Sequence, residues 1–204
     1  MSPRPRRVET DAVLDAAERV MRDGGPAQFT LDEVGRQVGV SAPALMRRFG
    51  SKRGLELALK ERAVRRTLDA VRALPPGGSP LAALIARFRE GIKSTAPTPE
   101  AMAHSFASLN RDVTNEELRP LIMVQVASLR TSLRELVAAA VDAGELSGAP
   151  ANTIADLIEA TYNGALVLWV VERKGSAWSF VRPRLMALLA PYRSAAKKPR
   201  RARQ

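Results

Sequence analysis

The 204-residue chain contains no cysteine and a single histidine, His104. The lack of cysteine excludes disulfides, thiolate nucleophiles and cysteine-ligated zinc, and one histidine cannot build a multi-histidine metal site. The sequence also lacks a glycine-rich phosphate loop and a distinctively spaced pair of acidic residues, which are common signatures of catalysis. We therefore expect a protein that is not an enzyme and that holds neither a metal ion nor a cofactor.

Long apolar runs are missing as well. The longest, residues 165–171, has seven residues, whereas a membrane-spanning helix needs about 20. Residues 1–7 are basic but lead into Val8-Glu9-Thr10-Asp11 and not into the apolar core of a signal peptide. Because 46% of the residues are hydrophobic, the chain can still bury a core. These features predict a folded, cytoplasmic protein without membrane association.

Basic residues exceed acidic ones, and the excess is unevenly distributed. The 32 Lys and Arg against 21 Asp and Glu give a net charge of +11. Residues 34–55 hold five basic residues and no acid. Such a cluster is typical of proteins that bind a polyanion, although a solvated arginine-rich surface has the same charge pattern.

The chain ends in a basic tail. Residues 193–204 contain six basic residues and no acid. This composition cannot bury enough apolar surface to offset the entropy of ordering, so we expect the tail to be disordered. Two interpretations stay open: a solvated tail that aids solubility, or a polybasic arm that raises non-specific affinity for nucleic acid.

The apolar pattern predicts an all-α fold of about nine helices. Apolar residues recur at helical spacing, and no sustained alternation typical of strands is present. Gly24-Gly25-Pro26 ends the first helix, and Thr30-Leu31-Asp32-Glu33 is a capping box that opens the second. The tight turn Gly39-Val40-Ser41 leads into a short third helix that ends near Phe49, and a longer helix begins at Lys52.

Two short helices joined by a glycine-containing turn and braced by a first helix are typical of a helix-turn-helix. The third helix, residues 41–49, must lie on the surface so that its first turn can enter a DNA major groove. Val40, Leu45 and Phe49 would anchor its back to the core. The helix N-termini after Thr30 and Ser51 would attract phosphate groups.

The stretch from Arg7 to about Leu59 resembles the TetR family of bacterial transcriptional regulators. The matching residues are Val13-Leu14, Ala16-Ala17, Gly25, Phe29-Thr30-Leu31, Gly39-Val40-Ser41, Leu45, Phe49, Ser51-Lys52 and Leu55. The resemblance implies a three-helix DNA-binding domain over residues 1–55 and a larger helical domain for ligand binding and dimerisation over residues 56–192, followed by the tail at 193–204. The second half shows no motif, as expected of a family whose C-terminal halves diverge with ligand.

The resemblance also implies roles for individual residues. Contacts to the DNA backbone fall on Thr30, Ser41, Met46, Arg48 and Lys52, and base-reading positions fall on Ala42, Pro43, Ala44 and Arg47. Three of the four base-reading residues are small and apolar and can contact only groups such as thymine methyls. Arg47 is the one that can bind guanine in a bidentate manner, with a phosphate contact as the alternative.

Three positions depart from the family pattern. Met46 stands where the family usually has an aromatic residue, and Arg48 stands where it often has histidine. Gly35 replaces the usual alanine, which costs about 1 kcal/mol inside a helix unless close packing compensates.

The resemblance implies a ligand-responsive regulator, usually a repressor, that binds a palindromic operator as a homodimer and is released by a small-molecule effector. Residues 165–171 are apolar all round, which favours the last two long helices as the dimer interface, with intramolecular burial as the alternative.

Few polar residues interrupt the apolar positions at 81–94 and 98–112, which slightly favours an apolar effector. Candidate residues for the effector pocket are Met102, His104, Phe106, Met123, Tyr162 and Trp169. A second candidate function is an architectural, nucleoid-type DNA-binding protein without an effector.

Overall fold

The computed structural model describes residues 9–72, 78–95 and 97–194. Over these ranges the chain forms nine α-helices and no strand beyond an isolated bridge between Leu146 and Arg193. The helices are α1 (Thr10–Gln28), α2 (Leu31–Val38), α3 (Ala42–Phe49), α4 (Lys52–Arg72), α5 (Pro80–Thr95), α6 (Pro99–Val113), α7 (Arg119–Asp142), α8 (Ala151–Glu172) and α9 (Ala177–Leu189), and a 3₁₀ turn follows at Ala190–Tyr192. The all-α fold with about nine helices is confirmed.

An N-terminal apolar cluster joins α1 to the three helices that follow. Its residues on α1 recur every three or four positions, so one face of that helix packs against α2, α3 and α4. The cluster extends to Leu59 of α4, which lies beyond the domain boundary that we place at residue 55. Its buried members are Val13, Leu14, Ala16, Ala17, Val20, Met21, Phe29, Leu31, Val34, Leu45, Leu55 and Leu59.

A second apolar cluster is formed by α5 to α9. Its largest fully buried side chain is Trp169 of α8, which packs among leucine, isoleucine and valine side chains from the neighbouring helices. The indole Nε1 donates to the carbonyl oxygen of Gly175 at 3.1 Å, so its single polar group is satisfied. The chain therefore has two apolar cores, and α4 contributes to the first and α6 to the second.

The ends of the first two helices differ in detail from the sequence-based expectation. Gly25 adopts a φ of +69° and kinks α1 before Pro26, but helical turns continue to Gln28. At the start of α2, Thr30 Oγ1 accepts from the Glu33 amide at 3.1 Å, as a capping box requires. The Glu33 carboxylate does not complete the box, because it accepts instead from Arg36 at 2.6 and 2.9 Å.

Helix α8 is long and apolar enough to cross a membrane by length and composition, and a third of its apolar window is buried in the fold. Within residues 165–171, Ala165, Leu166 and Trp169 are buried. Leu168 is 49% and Val171 74% exposed. One face of α8 is therefore buried in the core, and the opposite face exposes a stripe of apolar side chains to solvent.

The described chain ends beside the α7–α8 connection. Arg193 pairs with Leu146, and the Ser194 amide donates to the carbonyl oxygen of Glu145 at 3.1 Å. These two residues, which we expect to belong to a disordered tail, are instead held by backbone hydrogen bonds. Residues 195–204, the rest of the predicted tail, lie outside the described residues.

Helix α4 is bound to α1 through Arg62, a residue that is 5% exposed. It donates to Asp15 at 2.7 Å and to Glu18 at 2.9 Å, and the exposed Arg66 contacts the same two carboxylates. Desolvation would raise the pKa of the Asp15 carboxyl, but the hydrogen bonds and charges of Arg62 and Arg66 outweigh it and lower that pKa from its ordinary value of 3.8.

We expect Arg62→Met to lower the free energy of unfolding by about 1.5–3 kcal/mol, the range for hydrogen bonds to charged groups. Arg66→Met, which removes an exposed arginine from the same carboxylates, should cost less than about 1 kcal/mol. Because the pKa of Asp15 is lowered in the folded state, its contribution is present above about pH 4 and is lost as the pH falls through the lowered pKa. Urea unfolding of the native chain and of both variants, at neutral and at acidic pH, measures these free energies. Equal losses of unfolding free energy for Arg62→Met and Arg66→Met would contradict the prediction. A loss for Arg62→Met that is as large in acid as at neutral pH would contradict it as well.

Candidate nucleic-acid interface

A backbone contact fixes the turn between α2 and α3. Gly39 caps α2 in the left-handed conformation, with φ +68°, and donates its N–H to the carbonyl oxygen of Gly35. The Val40 amide donates to the same oxygen at 2.9 Å. A Cβ atom on Gly35 would lie 2.2 Å from the carbonyl oxygen of Val40. In this chain the turn therefore lies so close to Gly35 that alanine, the usual residue of the family pattern, would have to displace it.

The back of α3 is anchored on the N-terminal cluster. Leu45 is fully buried, and Val40, Ala42 and Phe49 pack against the cluster while partly exposed. At the other end of α3, a Cβ atom on Gly54 would lie 1.9 Å from the carbonyl oxygen of Phe49. Helix α3 is thus held between two turns at which backbone touches backbone, and its orientation is closely constrained.

The opposite face of α3 is open to solvent. Ser41 begins the helix, and its hydroxyl makes no capping hydrogen bond. Met46 is 47% exposed and Arg47 and Pro43 are also exposed, whereas Ala42 and Ala44 are half-buried. Seven of the nine residues to which the resemblance assigns DNA contacts therefore lie along α3 and the turn before it, and the other two, Thr30 and Lys52, lie at the start of α2 and α4.

The basic side chains of residues 34–55 differ in their partners. Arg36 pairs with Glu33, and Arg53 pairs with Glu117 at 2.8 Å. Arg47 has no carboxylate partner among the described residues. Arg36 and Arg53 are thus paired with carboxylates, whereas Arg47 on the outer face of α3 is not paired with one among the described residues.

The two remaining cations of this cluster lie over aromatic rings. Lys52 Nζ is 5.9 Å from the ring centroid of Phe29. The Arg48 guanidinium lies 5.7 Å from the Phe49 ring and also donates to the Thr10 hydroxyl of α1. Both keep their charge in these contacts, so either can still face a phosphate.

Two helix N-termini flank α3. Thr30 caps α2, as described above, and Ser51 Oγ accepts from the Gly54 amide at 2.9 Å at the start of α4. Thr30 and Lys52 are exposed. Such ends carry partial positive charge and attract phosphate groups. The surface around α3 therefore combines an exposed reading helix with flanking sites suited to a nucleic-acid backbone.

Four of the six candidate effector residues lie in or against the C-terminal cluster. Met102 and Trp169 are buried there, and Phe106 and Tyr162 pack against it. The Tyr162 ring lies 4.7 Å from that of Phe88. Burial raises the pKa of Tyr162 to about 12, so its phenol is neutral at physiological pH.

The other two candidates lie elsewhere. Met123 is 59% exposed on α7, and His104 contacts the backbone of α1. Two surface grooves, of about 450 Å³ between α5 and α9 and about 300 Å³ between α7 and α8, are lined by none of the six. The structure therefore places Met102, Phe106, Tyr162 and Trp169 in or against the C-terminal cluster, and His104 and Met123 outside it.

A polar network between α4 and the end of α6 escapes sequence reasoning. Lys60 Nζ lies 2.5 Å from Oδ2 of the fully buried Asp112, and Arg111 donates to the buried Glu56 at 3.1 Å. Buried Nε and Nη2 of Arg111 and Oδ1 of Asp112 have no hydrogen-bond partner. The sequence signal for this network is the four-residue spacing of Glu56 and Lys60, which places both on one face of α4.

Two family models match the chain. The model described as "Bacterial regulatory proteins, tetR family" matches residues 13–59, which contain α2, α3 and the turn between them. The model described as "BetI-type transcriptional repressor, C-terminal" matches residues 80–190, more than half of the chain. Together they span both apolar clusters.

Individual relatives agree with these models. The HTH-type transcriptional regulator BetI of Rhizobium meliloti is 31% identical over 127 residues, which are 62% of this chain and 63% of that protein. The match thus spans less than two thirds of the relative's length. Two solved structures share the fold with a TM-score of 0.76 at 16% identity and cover 91% of this chain. They are a TetR transcription regulator from Haloarcula marismortui, of which 98% is covered, and a transcriptional regulator from Saccharomonospora viridis in complex with choline, of which 97% is covered.

We expect Gly35→Ala to destabilise the protein by about 1–3 kcal/mol, because the new methyl group must displace the backbone of the turn. Gly91→Ala is the matched control: Gly91 also lies inside a helix, but a Cβ atom there would meet nothing within 4 Å. That change should stabilise by up to about 1 kcal/mol. Urea unfolding measures both, and a Gly35→Ala variant as stable as the native chain would show that the turn is not tightly packed.

Proposed function

The chain belongs to the TetR family of bacterial regulatory proteins, and on that premise we propose that it is a ligand-responsive transcriptional repressor. It binds a palindromic operator as a homodimer and is released by a small-molecule effector. Its relatives are transcriptional regulators and not enzymes. The observation that carries the proposal is the exposed face of α3, on which Arg47 has no carboxylate partner among the described residues.

In this proposal α3 enters the major groove. Arg47 donates two hydrogen bonds to a guanine, and Ala42, Pro43 and Ala44 contact methyl groups. Thr30, Ser41, Met46, Arg48 and Lys52 contact the sugar-phosphate backbone on either side. The ion pairs of Arg36 and Arg53 leave those two arginines less suited to phosphate binding.

The homodimer forms through the uncovered stripe of α8, with α9 beside it. The stripe recurs every three or four residues, and an apolar surface of this kind marks an interface. The small residues Ala160 and Gly164 lie between its large ones and would allow two helices to approach closely. Its large members are Leu157, Val167, Leu168 and Val171. A two-fold dimer would present the two α3 helices to half-sites about one turn, roughly 34–36 Å, apart.

The effector binds within the C-terminal cluster, beside Met102, Phe106, Tyr162 and Trp169. The aromatic pair of Phe88 and Tyr162 offers ring faces to a cation. Choline, which is bound by the Saccharomonospora viridis regulator, is an ammonium ion covered with methyl groups and suits an aromatic, largely apolar site. Choline or a related quaternary ammonium compound is therefore the first effector to test.

The protein acts in the cytoplasm, where its DNA lies. The alternative function, an architectural DNA-binding protein without an effector, uses the same α3 surface. A discrete footprint on one palindrome favours the repressor, whereas uniform coating of DNA favours the architectural protein.

Arg47→Ala should weaken binding to the operator by about 1–3 kcal/mol and relax the preference for one base pair in each half-site, because a bidentate contact to guanine is lost. Lys52→Ala is the matched control. It should weaken binding to all sequences alike and lower the slope of log affinity against log salt concentration. Fluorescence anisotropy on the duplex that the native protein selects from a random pool measures both effects.

An equal loss for Arg47→Ala on selected and random DNA would assign Arg47 to phosphate contact. A native protein that selects no palindrome would contradict the proposed function itself.

Leu168→Glu should raise the dissociation constant of the dimer at least tenfold, because the interface would have to bury a carboxylate from each subunit. Met123→Glu introduces the same charge at an exposed apolar residue of α7, outside the stripe, and should leave the dimer intact. Sedimentation at about 10 μM distinguishes the two variants. A native chain that sediments as a monomer, or equal effects of the two changes, would refute the α8 interface.

A further inference from the structure

The kink in α1 leaves a backbone carbonyl group without its usual donor. In a regular α-helix the carbonyl oxygen of Arg22 accepts from the amide of residue 26. That residue is Pro26, which has no N–H, and Gly25 before it leaves the helical conformation with φ +69° and ψ −173°. The carbonyl oxygen of Arg22 is therefore available to a donor from outside the helix.

His104 of α6 supplies a donor. Its Nδ1 lies 3.0 Å from the carbonyl oxygen of Arg22, and since a carbonyl oxygen can only accept, Nδ1 carries the proton. The ring also packs closely on the kink: a Cβ atom on Gly25 would lie 2.9 Å from Cδ2 of His104. Because Gly25 has no side chain, the backbone can adopt the positive φ and the imidazole of His104 can pack closely against it.

Helix α6 joins the two cores at this point. Met102 is buried in the C-terminal cluster and Phe106 packs against it, and His104 lies two residues from each. Two residues correspond to about 200° around a helix, so His104 projects from the opposite side of α6, toward α1. One short helix thus connects the C-terminal core to the helix that carries the DNA-binding unit.

We infer that His104 is a positioning residue for DNA binding: by capping the last turn of α1 before its kink, it fixes the orientation of the three-helix unit on the C-terminal domain. The inference rests on the proposed function, because orientation matters only when two such units must meet two half-sites at once. A three-helix unit that moves relative to its C-terminal domain can still bind one half-site. The dimer can bind both half-sites only when its two units are held in fixed orientations. His104 lies outside the α3 surface and touches no DNA in this arrangement.

The hydrogen bond itself can be tested without DNA. Because His104 is the only histidine of the chain, its imidazole ¹⁵N resonances are unambiguous in a histidine-labelled sample of the full chain. At a pH at which the ring is neutral, we expect the tautomer with the proton on Nδ1. The Nε2-protonated tautomer would overturn the inference.

The positioning role is tested on two duplexes: the palindrome that the native protein selects from a random pool, and the same DNA with one half-site scrambled. His104→Leu removes this hydrogen bond from both subunits of the dimer and should weaken binding to the full palindrome about three- to tenfold, because the second unit must then be ordered before it can meet its half-site. It should leave binding to the single half-site unchanged. His104→Asn should restore much of the affinity, because its amide nitrogen, like Nδ1, is bonded to Cγ and can donate to the same oxygen.

Ser105→Ala is the matched control. It removes a hydrogen bond of the same length, 3.0 Å, from the same helix, but one that stays within α6 by ending on the Ala101 carbonyl oxygen. It should bind both duplexes as the native protein does. Circular dichroism checks that every variant is fully folded at the temperature of the binding measurement.

Native affinity of His104→Leu for the full palindrome, or an equal loss on both duplexes, would overturn the inference while leaving the proposed function in place. A native protein that selects no palindrome would instead overturn the proposed function, and the tautomer would still decide whether His104 holds α1.

Discussion

Two cations on α4 hold the protein together across its domain boundary. Lys60 and Arg62 are two residues apart and therefore project to opposite sides of the helix. Arg62 binds the carboxylates of α1, and Lys60 binds the fully buried Asp112 at the end of α6. Removing Lys60 would cost several kcal/mol, because the charge of the fully buried Asp112 would be left without this partner. These contacts bind α4 to α1 on one side and to α6 on the other.

Rigid attachment matters because α3 is too short to define its own orientation. Eight residues form about two turns, and an isolated helix of that length is unstable in water. The fold compensates by pressing backbone against backbone at Gly35 and Gly54 and by burying Leu45 completely. The absence of side chains at Gly35 and Gly54 thus lets the neighbouring backbone pack closely against these helices and holds the outer face of α3 in one orientation.

The sequence predicted what depends on local patterns. Helix number and type follow from apolar periodicity and from glycine and proline breaks, and the α2–α3 turn follows from Gly39 in a left-handed cap. Contacts between distant residues could not be predicted in this way. Asp112 meets Lys60 across 52 positions, and nothing in its local sequence distinguishes it from a solvated acid.

The same limit explains the effector candidates. Residue type alone grouped His104 and Met123 with the aromatic residues of the C-terminal core, whereas the structure places one against α1 and the other in solvent. The apolar residues at 165–171 predict a helix that is covered on every side, whereas only one side is buried in the monomer. Which face of a helix is covered depends on packing, and packing is decided by the whole chain.

The central claim is that a dimer reads two symmetric half-sites with its α3 helices. Footprinting of the full-length protein along the DNA that flanks its own gene tests this most directly. The account predicts two protected segments related by a two-fold axis and centred about one helical turn, roughly 34–36 Å, apart. Protection spread uniformly along the DNA, or confined to one unsymmetrical segment, would contradict it.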